Sequence, residues 1–278
     1  MKVFETIWHR YLRVPYTLHV YRYSKVSKPT ATLVFLHGIG NSGKTWDEVS
    51  MLLTDDVNLI VVDLLGFGDS PKPDWATYDA RTQANSLAKT LLKLGLRRNT
   101  IVVGHSMGAL VAVEFAKRYP VLSQALVLCS PPIYRVNPDD DKKLFVERDE
   151  QLRRLYELAL RNPSNIVKLS RLAKKYNLLN PDFDVDHMNI DNYVLSLRAN
   201  ILNQTTPQDI VHIKKPIRIL YGTLDPFVIG QNIKSADKAS DYITVSKFIG
   251  GHEITGSYVD RVARSITTSI AGLDNTVQ

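Results

Sequence analysis

The sequence has almost no cysteine and no long apolar run. Cys129 is the single cysteine among 278 residues, so no disulfide can form within the chain, which excludes a small disulfide-stapled domain. No apolar stretch approaches the ~20 residues that a membrane-spanning helix needs. The first residues, MKVFETIWHRYLRV, carry charges where a signal peptide would be apolar. We therefore expect a soluble, cytoplasmic protein without membrane insertion.

Clusters of like charge are also scarce. The chain has 35 Lys and Arg against 28 Asp and Glu, a formal charge of +7, but its basic residues are scattered in short pairs. Patterns of RNA-binding modules or zinc fingers are absent. A scattered basic excess is typical of an ordinary enzyme, so we expect a small-molecule partner and no nucleic acid. Nothing in the sequence indicates an oligomeric state.

Short apolar runs rich in β-branched residues recur along the chain. They are TLVFLH at 32–37, NLIVVD at 58–63, TIVVGH at 100–105, ALVLCS at 125–130, PIRILYG at 216–222 and YITVSKF at 242–248. Most are continuous rather than alternating, as in strands buried on both faces of a parallel sheet. Helical patterns separate them. This alternation predicts a doubly wound, mostly parallel α/β fold.

Two segments depart from the alternation. At the N-terminus, KVFETIWHRYLRVPYTLHVYRYS predicts two antiparallel strands that turn at Val14-Pro15. Residues 134–206 contain no strong strand pattern, and three segments there, at 139–162, 164–179 and 188–203, have helical patterns. We therefore predict a core formed by 1–130 and 207–278, with 131–206 inserted as a helical cap that could act as a lid.

The stretch LVFLHGIGNSGKTW at 33–46 fits two chemistries. Gly38 to Thr45 matches the G-x-x-x-x-G-K-[ST] pattern of a phosphate-binding P-loop, and Asp63 ends an apolar run as in a Walker B strand. Only 19 residues separate Lys44 from Asp63, which leaves room for one short helix. The same letters begin H-G-x-G, which is typical of the oxyanion loop of a hydrolase.

The sequence GHSMG at 104–108 matches G-x-S-x-G. It follows an apolar strand pattern directly and precedes the helical pattern ALVAVEFAKRY. A serine on such a sharp strand-to-helix turn projects from the sheet, and flanking glycines let the backbone pass closely. Ser106 is therefore the candidate nucleophile.

A serine nucleophile needs a base, and the base needs an orienting acid, in the chain order Ser, Asp, His. Asp225 follows the predicted strand at 216–222, and His252 follows the next predicted strand in a glycine-flanked loop. Both would emerge at the carboxyl edge of the sheet, beside Ser106. His105 neighbours the serine, and we expect its side chain to point away from it.

With these motifs in place, the chain resembles an α/β-hydrolase fold enzyme over nearly its whole length. HGIGNSGKTW fits the family's oxyanion loop, and DLLGFGDS at 63–70 is similar to its D-x-x-G-x-G-x-S loop. The resemblance implies that Ser106 is the nucleophile, His252 the base and Asp225 the orienting acid. It also implies that the backbone N–H groups of Ile39 and Met107 form the oxyanion hole, and that 131–206 is the family's helical cap.

The resemblance implies a serine hydrolase that cleaves carboxylic esters through an acyl-enzyme, without a metal or an organic cofactor. Dehalogenases and epoxide hydrolases of this fold use aspartate as nucleophile, which Ser106 argues against. Carbon–carbon bond hydrolases of ring-cleavage pathways remain an alternative, although they often carry a tryptophan just after the histidine, where this chain has HEITGSY. A P-loop nucleotide-binding protein is the remote alternative, because it leaves Ser106, Asp225 and His252 without a role.

Overall fold

The structure is a computed structural model that describes residues 5–97, 100–134, 143–162, 164, 166–168 and 190–274. Its centre is a seven-stranded sheet. The strands are β1 (Val20–Ser24), β2 (Ala31–Leu36), β3 (Val57–Val62), β4 (Thr100–His105), β5 (Ser123–Cys129), β6 (Ile217–Gly222) and β7 (Ile243–Phe248). Their spatial order is β1-β3-β2-β4-β5-β6-β7. β1 is antiparallel to β3, and the other neighbouring pairs are parallel.

Helices cover both faces of the sheet. The α-helices are α1 (Asp47–Met51), α2 (Ala80–Lys93), α3 (Met107–Arg118), α4 (Lys143–Arg161), α5 (Ile190–Ser196), α6 (Thr206–Asp209), α7 (Gly230–Ala239) and α8 (Ser257–Asp274). Short 3₁₀ helices precede α1 at Gly43–Trp46 and follow α6 at Ile210–His212, and a π-helix at Leu197–Leu202 continues α5. The fold is the α/β-hydrolase arrangement that the motifs imply.

Continuous apolar strands make two cores because successive side chains point to opposite faces. On β2, Val34 and Leu36 pack in the core shared with α2, α3 and α7, whereas Leu33 and Phe35 pack in the core on the other face. That second core is closed by Trp46 and by residues of α8. The predicted strands at 32–37, 58–63, 100–105, 125–130, 216–222 and 242–248 all exist, with ends that shift by one or two residues.

The N-terminal segment differs from its prediction. The expected antiparallel edge exists, as β1. The first of the two expected strands is instead a π-helix at Thr6–Tyr11, followed by extended chain up to β1. Ile7 and Tyr11 are four residues apart, as on one side of a helix, so the prediction of a strand over these residues is wrong.

The segment between β5 and β6 is helical in the residues that the structure describes. α4 matches the first predicted helix, and α5 with its π-helical continuation matches the third. Most of the second predicted helix, 164–179, lies outside the described residues. A buried polar contact holds α4 to the core, because Asn232 Nδ2 on α7 donates to the Asp149 carboxylate at 3.1 and 3.2 Å. The role of 131–206 as a cap stays a prediction.

Candidate active site

Ser106 lies on a strained turn between β4 and α3. Its backbone angles, φ 52° and ψ −119°, are sparsely populated for a residue other than glycine. Its N–H donates to the carbonyl of Cys129 at 2.9 Å, which continues the β4–β5 pairing up to the turn. A Cβ on Gly104 would overlap the carbonyl of Gly108, and one on Gly108 would overlap that of Leu36. Both glycines of GHSMG are therefore required by close backbone packing.

His252 and Asp225 meet at the carboxyl edge of the sheet. His252 Nδ1 is 2.7 Å from Asp225 Oδ2. The Asp225 side chain is fully buried and that of His252 is 13% exposed. The other Asp225 oxygen, Oδ1, accepts a hydrogen bond from the N–H of Phe227 at 2.8 Å. Both carboxylate oxygens are thus engaged, which fixes the plane of the carboxylate and with it the orientation of the imidazole.

The pair shifts both pKa values toward the charged forms. Burial alone lowers the pKa of His252, but the hydrogen bond to Asp225 and the carboxylate charge outweigh it and hold the pKa above its usual value. Burial alone raises the pKa of Asp225, but the hydrogen bond and charge of His252 and the Phe227 N–H bring it below its usual value. An imidazolium formed at His252 is therefore stabilised.

No hydrogen bond joins Ser106 to His252 among the residues that the structure describes. The two are linked through His105. Its ring centroid lies 4.9 Å from that of His252, and its Nε2 is 3.0 Å from the His252 carbonyl oxygen. Contacts between nucleophile and base are often long in unliganded sites and shorten when substrate binds. The structure thus brings Asp225 and His252 together directly, and brings the turn at Ser106 to the same loop.

His105 is the contact that the sequence analysis missed. Burial, followed by the charge of the neighbouring His252, lowers its pKa to about 3, so this imidazole is neutral at ordinary pH. A carbonyl only accepts, so Nε2 carries the hydrogen. Nδ1 is buried with no partner among the described residues. The expectation that His105 points away from the serine did not identify the loop of His252, which His105 contacts.

The loop after β2 is held by His37. Its Nδ1 donates to the carbonyl of Gly38 at 2.7 Å, and its Nε2 accepts from the N–H of Leu64 at 2.9 Å. The N–H and C=O of a trans peptide point in opposite directions, so the N–H of Ile39 faces away from the His37 ring. A Cβ on Gly38 would lie 3.2 Å from the Ser106 Cβ. This loop therefore passes directly beside the nucleophile candidate.

Met107 is the first residue of α3. The first N–H groups of a helix have no partner within it, and these groups carry the positive end of the helix dipole. The N–H of Met107 therefore lies at the turn beside Ser106. The arrangement can offer two backbone donors to one oxygen atom.

The P-loop pattern has another structural explanation. The N–H of Gly43 donates to Asp63 Oδ1 at 2.7 Å, so this donor is occupied by a carboxylate where a P-loop would hold phosphate. A Cβ on Gly43 would overlap the ring of Tyr21, which explains the glycine. The long helix that starts at a P-loop lysine is replaced by a 3₁₀ turn and the five residues of α1.

One cluster near this loop has the composition of a cation site. Ligand atoms of His19, Asp63 and Asp69 all lie within 4.8 Å of one another. Asp63 already accepts from the N–H groups of Gly43 and Asp69 and from His19 Nδ1, at 2.7, 2.9 and 2.8 Å. These three hydrogen bonds anchor the loop at 63–70 to the Asp63 carboxylate.

Aromatic side chains connect the acid and the base to the inserted segment. The Phe227 ring meets the His252 ring edge-on, with centroids 5.0 Å apart. The hydroxyl of Tyr134 donates to the carbonyl of Phe227 at 2.6 Å and lies 3.3 Å from the hydroxyl of Tyr156 on α4. A helix of the insertion thus contacts the loop that carries Asp225.

Comparison with known proteins assigns the family. The sequence profile described as alpha/beta hydrolase fold matches residues 31–254, which include Ser106, Asp225 and His252. The chain belongs to the alpha/beta hydrolase fold family. The seven-stranded, mostly parallel sheet agrees with this assignment.

Curated relatives of the chain include lipases and probable lysophospholipases. The chain is similar to a probable lysophospholipase, BODYGUARD 4 of Arabidopsis thaliana, with 32% identity over 39% of this chain and 27% of that protein. It is similar to Lipase 1 of Psychrobacter immobilis, with 25% identity over 74% of this chain and 66% of that protein. The alignments thus span less than two thirds of these relatives' own lengths.

Solved structures of the family share the fold. A thermophilic esterase from Thermogutta terrifontis, studied with malate bound, superposes with a TM-score of 0.67, covering 88% of this chain and 91% of that chain at 21% identity. At this identity the likeness shows the fold alone. Among the helices of the described residues, none is both long and apolar enough to cross a membrane. The findings together show a member of the alpha/beta hydrolase fold family.

Proposed function

We propose that the protein is a serine hydrolase that cleaves carboxylic esters of small to medium substrates. The observation that carries the proposal is the hydrogen bond between His252 and Asp225, located beside a serine on a strained strand-to-helix turn. The names of the relatives, lipases, a probable lysophospholipase and an esterase, support ester bonds as the target.

In the proposed mechanism, Ser106 Oγ attacks the carbonyl carbon of the ester while His252 Nε2 accepts its proton. Asp225, bonded to Nδ1, keeps the imidazole oriented and stabilises its charged form. The N–H groups of Ile39 and Met107 hold the developing oxyanion, and removal of one such donor typically costs about 3–4 kcal/mol of barrier. His252 then protonates the leaving alcohol and activates the water that releases the acid.

We further propose that residues 131–206 form a cap that shapes the substrate pocket. The support is the contact of Tyr156 on α4 with Tyr134, whose hydroxyl is bonded to the loop after Asp225. Movement of α4 would therefore change the contacts of the loop that carries Asp225, beside His252. We therefore expect changes in this segment to alter substrate preference more than they alter the rate of the chemical step.

Labelling with a fluorophosphonate probe tests the proposal. Such probes form a covalent adduct with an activated serine, and peptide mapping should find the adduct on Ser106. Ser106→Ala should remove both the label and the turnover of a short-chain aryl ester. An adduct on another residue, or turnover that persists in Ser106→Ala, would contradict the assignment.

Carbon–carbon bond cleavage is the second candidate, because serine enzymes of that class share the elbow and the cap. Residue 253, just after the histidine, is Glu here rather than the tryptophan frequent in that class. Burial raises the pKa of Glu253. A panel of esters run beside a dienoic ring-cleavage substrate separates the two. Faster turnover of the dienoic substrate would reverse our preference.

A further inference from the structure

The helix at the N-terminus exposes a contiguous set of large apolar side chains. Ile7, Trp8, Tyr11 and Leu12 are 49%, 40%, 71% and 60% exposed, and the helix Thr6–Tyr11 contains no buried residue. Ile7 and Tyr11 are four residues apart, as are Trp8 and Leu12, so the four lie on one side of the helix. Single exposed apolar residues are ordinary, but a contiguous group marks an interaction site.

The opposite side of this helix is fixed to the protein. The His9 ring stacks on that of Tyr16, with centroids 3.7 Å apart and an interplanar angle of 14°. His9 Nδ1 donates to the carbonyl of Val14 at 2.6 Å, and the N–H of Val14 donates to the carbonyl of Trp8 at 3.1 Å. These contacts set which side of the helix faces the protein and which faces outward.

The chain that joins this helix to the sheet enters β1 at the carboxyl edge, the edge of the candidate active site. β1 is antiparallel, and its first residue, Val20, pairs with Val62, the last residue of β3. The chain before Val20 therefore lies at the carboxyl edge, where Ser106 and His252 also lie. His19, the residue before β1, lies at the same edge, because its N–H donates to Ser70 Oγ in the loop after β3 at 2.8 Å.

The charges around the apolar group are mainly positive. Arg10 and Arg13 are exposed on this segment, and the exposed acids around it are Glu5 and Asp74, whose charges both act on Tyr16. A groove of about 500 Å³ separates the helix from the loop at 71–75, and Lys72 and Trp75 contribute to its wall. Apolar and aromatic residues flanked by basic ones are the composition of helices that lie in the surface of anionic membranes.

We propose that this surface, formed by Ile7, Trp8, Arg10, Tyr11, Leu12 and Arg13, docks the protein on an anionic phospholipid bilayer. The apolar side chains enter the headgroup region, and the arginines contact the lipid phosphates. This attachment is peripheral and needs no spanning helix. It does not depend on the proposed esterase function.

Co-sedimentation with vesicles of defined composition tests the proposal. The full chain should sediment with vesicles of equal parts phosphatidylcholine and phosphatidylglycerol, and much less with phosphatidylcholine alone. Binding should weaken as salt is raised, because the arginines act through screened charge. A chain that sediments with neither vesicle, or equally with both, overturns the proposal.

Two variants separate the apolar and the basic contributions. Ile7→Ser/Tyr11→Ser/Leu12→Ser should bind at least tenfold more weakly. Arg10→Gln/Arg13→Gln should bind roughly thirtyfold more weakly to the anionic vesicles, about fivefold for each arginine. Unchanged binding in either variant contradicts the proposal.

Matched controls lie elsewhere on the molecule. Met51→Ser/Leu52→Ser removes two exposed apolar side chains just before β3, at the amino edge of the sheet. Lys234→Gln/Lys238→Gln removes two exposed positive charges from α7. Both controls should bind the anionic vesicles within about twofold of the parent. A loss in the controls as large as in the variants would mean nonspecific attraction and overturn the assigned surface.

Two further measurements isolate the docking surface. Ser106→Ala should bind vesicles like the parent, so failure of the proposed catalysis would leave this test intact. Sedimentation equilibrium without lipid should give the same oligomeric state for the parent and the apolar variant. A parent dimer that becomes a monomer in that variant would show that the surface pairs two copies of the chain, and would overturn membrane docking.

Discussion

The buried imidazole of His105 donates from Nε2 to the backbone carbonyl of His252, over a distance of 3.0 Å. This bond joins the residue before the candidate nucleophile to the candidate base itself. Because burial, followed by the charge of His252, lowers the pKa of His105 to about 3, this imidazole is neutral above that pH. His105 is therefore suited to position the base rather than to exchange protons.

His105→Leu should lower kcat by about 10- to 100-fold with little change in KM. The substitution removes the donor and allows the His252 loop to shift, and misplacement of a catalytic group by about 1 Å can cost about 100-fold. His105→Gln keeps an N–H donor and should retain more activity than His105→Leu. Steady-state kinetics on one ester measures kcat and KM for the parent and for both variants. Equal, parent-like kcat values in both variants would remove the positioning role.

Asp225→Asn should lower kcat by several orders of magnitude while the fold survives, because the imidazole loses the acceptor that orients it. Circular dichroism and thermal melting provide the fold control. A fully active Asp225→Asn enzyme would refute the assignment of the acid.

The residual activity of Asp225→Asn should also change its pH dependence. Asp225 raises the pKa of His252, and the neutral imidazole is the active base, so kcat/KM of the parent falls as the pH drops through that raised pKa. Without the carboxylate the pKa of His252 decreases, and the acid limb of the profile should move to lower pH. A limb that stays in place or moves upward would contradict the pairing.

Gly38→Val should greatly reduce turnover. An added Cβ would lie 3.1 Å from His105 Nδ1 and 3.2 Å from the Ser106 Cβ, so the loop would have to move, and with it the N–H of Ile39. Gly272→Val is the matched control, because a Cβ at that position meets nothing within 4 Å. Similar turnover in the two variants would argue against a role for this loop.

Asn232→Leu should destabilise the attachment of α4. Asn232 and Asp149 are 5% and 6% exposed, so the change removes a donor from a buried carboxylate and should cost about 1–3 kcal/mol. Chemical denaturation measures the free energy of unfolding. Lys234→Leu, at an exposed position on the same helix, should change it by about 0.5 kcal/mol or less. Equal effects would mean that the Asn232–Asp149 contact contributes no stability.

The sheet was predictable because its signal is local. Continuous apolar runs between helical patterns are typical of strands covered on both faces, and each such run is a strand in the structure. Ser106 could be proposed as the nucleophile for the same reason, since its motif needs a strand before it and a helix after it, and the structure has both. The N-terminal segment was not predictable in this way, because the spacing of Ile7, Trp8 and Tyr11 fits a strand or a short helix.

The contacts of His105 and Gly43 depend on residues distant in the sequence. His105 contacts a residue 147 positions away, and Gly43 is bonded to Asp63 and covered by Tyr21. Such contacts arise because the sheet brings together loops that are distant in the sequence. A periodic pattern of apolar residues does not reveal them. For the same reason the sequence can match the P-loop pattern although the structure has no P-loop at this position. Gly43 is required here by its contacts with Asp63 and Tyr21 instead of by a phosphate.

Lys44→Ala is the sharpest test of the two interpretations of the loop after β2. In a P-loop this lysine would contact the β- and γ-phosphates of a nucleotide, and its loss would abolish binding. In the hydrolase, the useful atom of this loop is the N–H of Ile39, and the exposed side chain of Lys44 has no part in the chemistry. Turnover in Lys44→Ala should therefore stay within about threefold of the parent. Calorimetry of the parent with ATP or GTP and Mg²⁺ should detect no binding, because Asp63 occupies the Gly43 N–H that a phosphate would need. Micromolar nucleotide binding that disappears in Lys44→Ala would restore the P-loop interpretation.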